Sequence, residues 1–163
     1  MRARLLASML ATFLAIPAVV AAVSPGQRAP GFSLPRLVGS GQVDLASQRG
    51  RVVVLDFWAS WCRPCLEAMP ELGALQRELG PRGVTVLAVS IDDEAAAALS
   101  ALGSAEQPFV ALHDAGGAVA ETYGLAGRLP ATVVIDREGV VRLATFGSAV
   151  PRATLRAALD PLL

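Results

Sequence analysis

Apolar positions in the body of this chain gather into short dense runs, separated by turns rich in glycine, proline and acidic residues. Val52-Val53-Val54-Leu55-Asp56-Phe57-Trp58 is β-branched and almost uninterrupted, which predicts a strand over Arg51 to Trp58 that is covered on both faces. After it the period changes: Leu66, Met69, Leu72, Leu75 and Leu79 recur at helical spacing, with Pro70 expected to remove a bond to the Leu66 carbonyl and kink the helix. Gly83 opens a second buried strand, Val84 to Ile91, and Asp92-Asp93-Glu94 supply acids at the start of a helix over Ala95 to Leu102. Pro108 precedes a short strand, Phe109 to Leu112, and Ala118 to Tyr123 reads as helical. Ala131 to Asp136 is a strand, turned by Arg137-Glu138-Gly139 into an antiparallel partner, Val140 to Phe146. Thr154 to Leu163 closes the chain as an amphipathic helix. Ahead of all this, Pro25 to Gly41 is rich in Gly, Pro and Ser with Phe32, Leu34 and Leu37 as anchors, the pattern of an extension with a short hairpin. Strands alternating with helices and ending in a hairpin predict an α/β sandwich with a mixed sheet.

The first residues follow a different logic. Arg2 and Arg4 precede an apolar stretch from Leu5 to Ile16, Pro17 interrupts it, and Val20-Ala21-Ala22 offers small residues suited to cleavage, the order expected of a secretory signal peptide over residues 1–22. Leu5 to Val23 also approaches the length of a membrane span, so an uncleaved N-terminal anchor is the competing expectation. Either places residues 23–163 outside the cytoplasm, as one periplasmic or otherwise extracytoplasmic domain of 141 residues, enough for a real hydrophobic core. Without Arg2 and Arg4 that domain carries 12 arginines against 14 acids and no lysine, a net charge of −2. This near-neutrality argues against nucleic acid or an anionic membrane surface as partner.

The chemistry lies in Trp61-Cys62-Arg63-Pro64-Cys65, which holds both cysteines of the chain at the junction of the predicted strand and helix. Two cysteines in an exported chain ordinarily suggest a structural disulfide. A bridge across a two-residue gap, however, removes little entropy from the unfolded chain, so it is a poor staple and a good redox switch. The reactive species in disulfide exchange is the thiolate. Unpaired N–H groups and the dipole at a helix start favour it, and Arg63 adds a positive charge. Cys62, at the exposed start of the helix, is the expected attacking sulfur, and Cys65, one turn in, the resolving one. Arg63 and Pro64 are expected to tune the redox potential. Asp56 sits six residues before Cys62 in an apolar strand, where burial should raise its pKa and let it accept the Cys65 proton.

Val54 to Cys65, read together, resembles the active-site strand and helix of the thioredoxin superfamily. The Pro25 to Leu45 extension and the Met69-Pro70 pair are similar to its exported TlpA/ResA branch. The resemblance covers essentially residues 25–163 and implies a thioredoxin-like three-layer sandwich with a mixed central sheet, an N-terminal hairpin extension and an inserted helix and strand between Ser90 and Pro130. It implies a cis proline at Pro130 facing the cysteine pair, with Leu129 contacting substrate. Trp58 and Trp61 match family aromatics, Trp58 as core and Trp61 as rim of the site. One position departs: where ResA-like members often carry a glutamate three residues after the second cysteine, this chain has Ala68, with Glu67 on a different helical face. The proton-handling role therefore moves to Asp56, which resembles the buried aspartate of thioredoxin.

The resemblance further implies a thiol:disulfide oxidoreductase without a cofactor, reducing protein disulfides and recharged by a membrane electron donor. Apocytochrome c segments in cytochrome c maturation, or copper-site cysteines, are the implied substrate class. Two alternatives stand beside it. A Cu(I)-binding metallochaperone would use Cys62, Cys65 and His113, since soft thiolates suit Cu(I), although His113 is the only histidine and a structural zinc site would lack a fourth ligand. A thiol peroxidase relative shares the N-terminal extension, but the paired cysteines and their tryptophan favour disulfide exchange.

Overall fold

The computed structural model describes residues 21–104 and 106–163. Residues 1–20, which carry nearly all of the expected export signal, lie outside the described residues. Among the described residues no helix is long and apolar enough to cross a membrane.

The chain forms β1 (Ser33–Pro35), β2 (Gln42–Asp44), β3 (Val52–Trp58), α1 (Arg63–Leu79), β4 (Val84–Ser90), α2 (Ala95–Leu102), β5 (Val110–His113), α3 (Ala118–Thr122), β6 (Ala131–Ile135), β7 (Val141–Phe146) and α4 (Arg152–Leu159). The main sheet has the order β5-β4-β3-β6-β7, with β3, β4 and β5 parallel and β6 and β7 antiparallel. All seven residues of both β3 and β4 are buried, as nearly all-apolar runs require of central strands covered on two faces. Side chains alternate across β3. Val52, Val54 and Trp58 pack with Leu72, Leu75 and Leu79 of α1 and with Leu155 and Leu159 of α4. Val53, Leu55 and Phe57 pack on the opposite face with Ala120 of α3, Tyr123, and Leu34 and Val43 of the β1–β2 hairpin. The result is the three-layer mixed sandwich expected from the sequence, with the hairpin extension in place and α2–β5 inserted between β4 and β6.

The extension does more than decorate the fold. Gly26 N–H donates to Val141 O, Val141 N–H to Gln27 O, and Ala29 N–H to Gly139 O, which covers the start of the outer edge of β7. Farther along, Arg36 bridges to Leu112 and Leu37 N–H donates to Ala111 O, which covers β5 at the other edge. One segment thus occupies backbone groups at both edges of the sheet, where unpaired strands invite association.

Two helices and one run of acids depart from the sequence reading. Helix α1 begins at Arg63, with Cys62 as its N-cap, and continues through Pro70 to Leu79. The last helix is earlier and shorter than Thr154 to Leu163: α4 ends at Leu159, and Asp160–Leu162 form a 3₁₀ turn, because Pro161 brings no N–H to extend the ladder. The acids before α2 do not act as a group, since Glu94 is the N-cap without a side-chain bond and Asp92 turns inward instead.

The β6–β7 turn is fixed by a buried carboxylate. Asp136 accepts the Glu138 N–H at 3.0 Å, the Val140 N–H at 2.8 Å and the Arg142 guanidinium at 2.6 Å. Burial alone would push its pKa up, but the bonds from Val140 and Arg142 outweigh that and hold it below the ordinary carboxylate range. Asp136→Ala is expected to cost about 2–3 kcal/mol in urea unfolding at neutral pH, by orphaning two backbone donors. The cost should shrink as pH falls through the folded pKa, where the wild-type carboxylate itself becomes protonated.

Candidate active site

Strand β3 delivers the chain to the carboxyl end of the sheet, and the turn Ala59 to Cys62, closed by Cys62 N–H on Ala59 O, feeds it into α1. Cys62 takes extended backbone angles as the N-cap and Cys65 lies in the first turn, with Pro64 between them needing no donor there. The two cysteines are joined by a disulfide, their Cα atoms 5.3 Å apart. Both sulfurs therefore sit where the helix start favours negative charge. The exposure of Cys62 is smaller than its place at the helix start suggested, because it joins the core on the α1 side of the sheet: Cys62 is 5% exposed and Cys65 0%. Trp61, by contrast, is 67% exposed and stands at the rim, whereas Trp58 is wholly buried. Arg63 is exposed and pairs with Glu67 at 2.8 Å, so part of the charge expected to favour the thiolate is answered on the helix surface.

The register of β6 on β3 brings the second part of the site into place. Ala131 lies opposite Phe57 and Thr132 opposite Asp56, which sets Pro130 level with the end of β3. The Leu129–Pro130 peptide is cis, Pro130 O accepts the Gly147 N–H, and Leu129 is half-buried against both halves of the core. Pro64 and Pro130 face a common groove of about 330 Å³, whose mostly apolar wall includes Leu72, Val150 and Leu155, and which Asp56 also lines. Ala68 lines this groove as well, where a longer acidic side chain would narrow it.

Asp56 is 3% exposed. Its Oδ1 accepts the Thr132 hydroxyl at 2.7 Å, while its Oδ2 has no partner among the described residues. Burial raises its pKa from 3.8 to about 7, with the Thr132 bond pulling the other way. The group is thus poised to exchange a proton near neutrality, in the wall of the groove beside Pro64. Trp58 Nε1, two residues along β3, is likewise buried and unpaired among the described residues.

His113 ends β5, and its Nε2 lies 2.8 Å from the backbone oxygen of Asp92. Among the described residues no three His, Cys, Asp or Glu side chains are grouped to hold a metal, so the structure does not bring His113 and the cysteines together as a metal centre. Sequence reasoning missed Asp92 itself. Its carboxylate binds Ser60, two residues before Cys62, and the only signal for this was a run of acids that also suits a helix start.

A disulfide-bonded cysteine pair at a helix start, next to a groove that Pro64 shares with a cis proline and a buried acid, makes a thioredoxin-like arrangement. The chain matches the Redoxin family over residues 24–159, and it belongs to that family, within the ResA/TlpA-like part of the thioredoxin superfamily. It is 35% identical over 130 residues to the thiol-disulfide oxidoreductase ResA of Geobacillus thermodenitrificans, covering 78% of this chain and 72% of that one. To ResA of Bacillus thuringiensis subsp. konkukian it is 32% identical over 116 residues, covering 71% of this chain and 66%, just under two thirds, of the relative. Among solved structures, a candidate thiol:disulfide interchange protein DsbE of Chlorobium tepidum superposes with a TM-score of 0.78 at 32% identity, covering 86% of this chain and 99% of that one.

Proposed function

We propose that this protein is an exported thiol:disulfide oxidoreductase that reduces disulfides in other proteins. The observation that carries the reading is the Cys62–Cys65 disulfide at the start of α1, beside a groove shared by Pro64, Pro130 and Asp56. In the reduced form, the Cys62 thiolate attacks one sulfur of a client disulfide and expels the other as a thiolate, leaving a mixed disulfide. Cys65 gives its proton to Asp56 and attacks the Cys62 sulfur, which releases the second client thiol and restores the bridge seen here. Two electrons pass to the client in each cycle, so two must be returned to the protein. A membrane electron donor is the source we assign, and no cofactor is needed. Leu129, Pro130, Pro64, Arg63 and Trp61 form the client-facing rim in this reading.

The substrate class is extracytoplasmic protein disulfides, with the cysteine pairs of apocytochromes c in cytochrome c maturation, or copper-site proteins, as the clients of choice. The names of the ResA and DsbE relatives support the exchange chemistry. The order basic, apolar, small in residues 1–22 supports export, by a cleaved signal peptide or a retained anchor, with residues 23–163 as the working domain. The deciding measurement is the reduction potential of the Cys62–Cys65 couple, equilibrated against glutathione or dithiothreitol. A value near or below about −270 mV is expected of a reductant, whereas one near about −120 mV would sink that assignment in favour of an oxidant.

A further inference from the structure

The loop that carries Cys62 out of β3 is held by a carboxylate that the exchange chemistry does not use. Asp92 follows β4 and is 4% exposed. Its carboxylate accepts the Ser60 N–H at 2.9 Å, the Ser60 hydroxyl at 2.6 Å and the Ser90 hydroxyl at 2.8 Å. No arginine or histidine pairs with that carboxylate among the described residues. Its backbone is fixed from two sides, with Asp92 N–H donating to Ser90 Oγ at 3.1 Å and His113 Nε2 lying 2.8 Å from Asp92 O. A buried carboxylate without a cation is costly unless hydrogen bonds satisfy it, and two of the three donors that do so belong to one residue, Ser60. Ser60 stands two positions before Cys62, in the turn that Cys62 N–H closes on Ala59 O. Nothing about α2 requires this arrangement, since that helix starts at Ala95, three residues later, with Glu94 as its N-cap.

We propose that Asp92 is a positioning residue for Cys62, acting through Ser60, and that it sets the reduction potential of the cysteine couple. The inference rests on the redox reading above. A contact made equally in the oxidised and reduced states stabilises the fold and leaves the potential unchanged. Asp92 acts unequally. In the oxidised protein the disulfide already fixes Cys62, whereas in the dithiol only the anchored turn does, so Asp92 restricts the reduced state more. Its negative charge, held against the loop that bears the thiolate, also disfavours the reduced state. Both effects have the same sign: removing Asp92 favours the dithiol and makes the disulfide easier to reduce.

The test is the equilibrium of the full protein with reduced and oxidised glutathione, in which one protein disulfide and two glutathione thiols exchange for one protein dithiol and one glutathione disulfide. For Asp92→Ala the constant is expected to move about tenfold toward the dithiol, a potential less negative by about 30 mV. Ser60→Ala, which keeps the N–H bond, should move it about threefold, and the double variant no further than Asp92→Ala alone, the non-additivity expected of partners in one contact. Should Asp92→Ala fail to fold, Asp92→Asn, which removes the charge and keeps one acceptor, and Ser60→Ala carry the same readout. A constant within about twofold of wild type in the Asp92 variant, or fully additive shifts in the double variant, overturns the proposal. Insulin reduction by the wild type is followed in parallel. Its absence alongside a shifted potential sinks the reductase reading alone, and normal turnover with an unshifted potential sinks the positioning role alone.

Discussion

Replacing Cys65 by serine is expected to stop turnover and to leave the protein tied to its client. The first exchange needs only the Cys62 thiolate, so Cys65→Ser should still attack a client disulfide and accumulate a mixed disulfide close to one per molecule. Its release depends on a second sulfur one helical turn away, and a serine hydroxyl cannot serve, since it neither ionises near neutrality nor forms the bridge. Turnover in an insulin assay should fall by about three orders of magnitude or more, the scale of losing a nucleophile that acts as part of a unit. Cys62→Ser should lose activity to the same extent without trapping anything. The asymmetry follows from position: Cys62 is the N-cap and keeps 5% exposure, while Cys65 lies in the first turn with none. Mass spectrometry of the species trapped from a cell extract then identifies the client. If adducts form only with Cys62→Ser, the two roles are reversed. If neither variant traps a disulfide substrate that wild type reduces, the two-step exchange itself is wrong.

How much of this was legible in the residues depends on whether the signal was local. Strands β3 and β4 announced themselves because a strand covered on both faces is nearly all apolar, broken only by Asp56 in β3 and by Thr85 and Ser90 in β4, and the cysteine pair because its spacing, helix position and expected export agree. The burial of Asp56 followed from its apolar neighbours in sequence. Long-range pairings left less trace. The bond from Thr132 to Asp56 joins residues 76 apart, and only the antiparallel register of β6 on β3 creates it. Asp92 looked like one of three equivalent acids, yet one turns inward to hold Ser60 while its neighbours Asp93 and Glu94 stay exposed. The extension was readable as a hairpin but not as a cover for both sheet edges, since a backbone donor carries no side-chain signature. The overshoot of the last helix was avoidable, because Pro161 marks where its α-helical ladder must stop.

Asp56→Asn is expected to make the protein more stable and slower, and the two effects should depend on pH in linked ways. Burial raises the Asp56 pKa from 3.8 to about 7 in the folded protein. Between those values the folded chain holds a proton that the unfolded chain has released, so stability falls as pH rises through that window. Below it both states are protonated and the aspartate costs nothing through ionisation. Above it the full penalty applies, on the order of 4 kcal/mol for a shift of this size. Asparagine keeps the acceptor for the Thr132 hydroxyl and cannot ionise. Its gain in urea unfolding should therefore grow from near zero around pH 4 toward that figure above about pH 8. The same substitution removes the group that takes the Cys65 proton. Resolution of the mixed disulfide should slow by about 10- to 100-fold at pH 7, at or below the lower end of what a positioned general base contributes. The deficit should narrow at higher pH, where solvent deprotonates the thiol directly, and the inflection near the Asp56 pKa should vanish from the rate profile. Single-turnover rates on a model disulfide and unfolding curves across the same pH range test both halves. A stability gain with an unchanged rate profile would leave Asp56 as a buried carboxylate with a cost and no part in the exchange. A slowed, pH-flattened rate together with the gain identifies the group for which the fold gives up that stability.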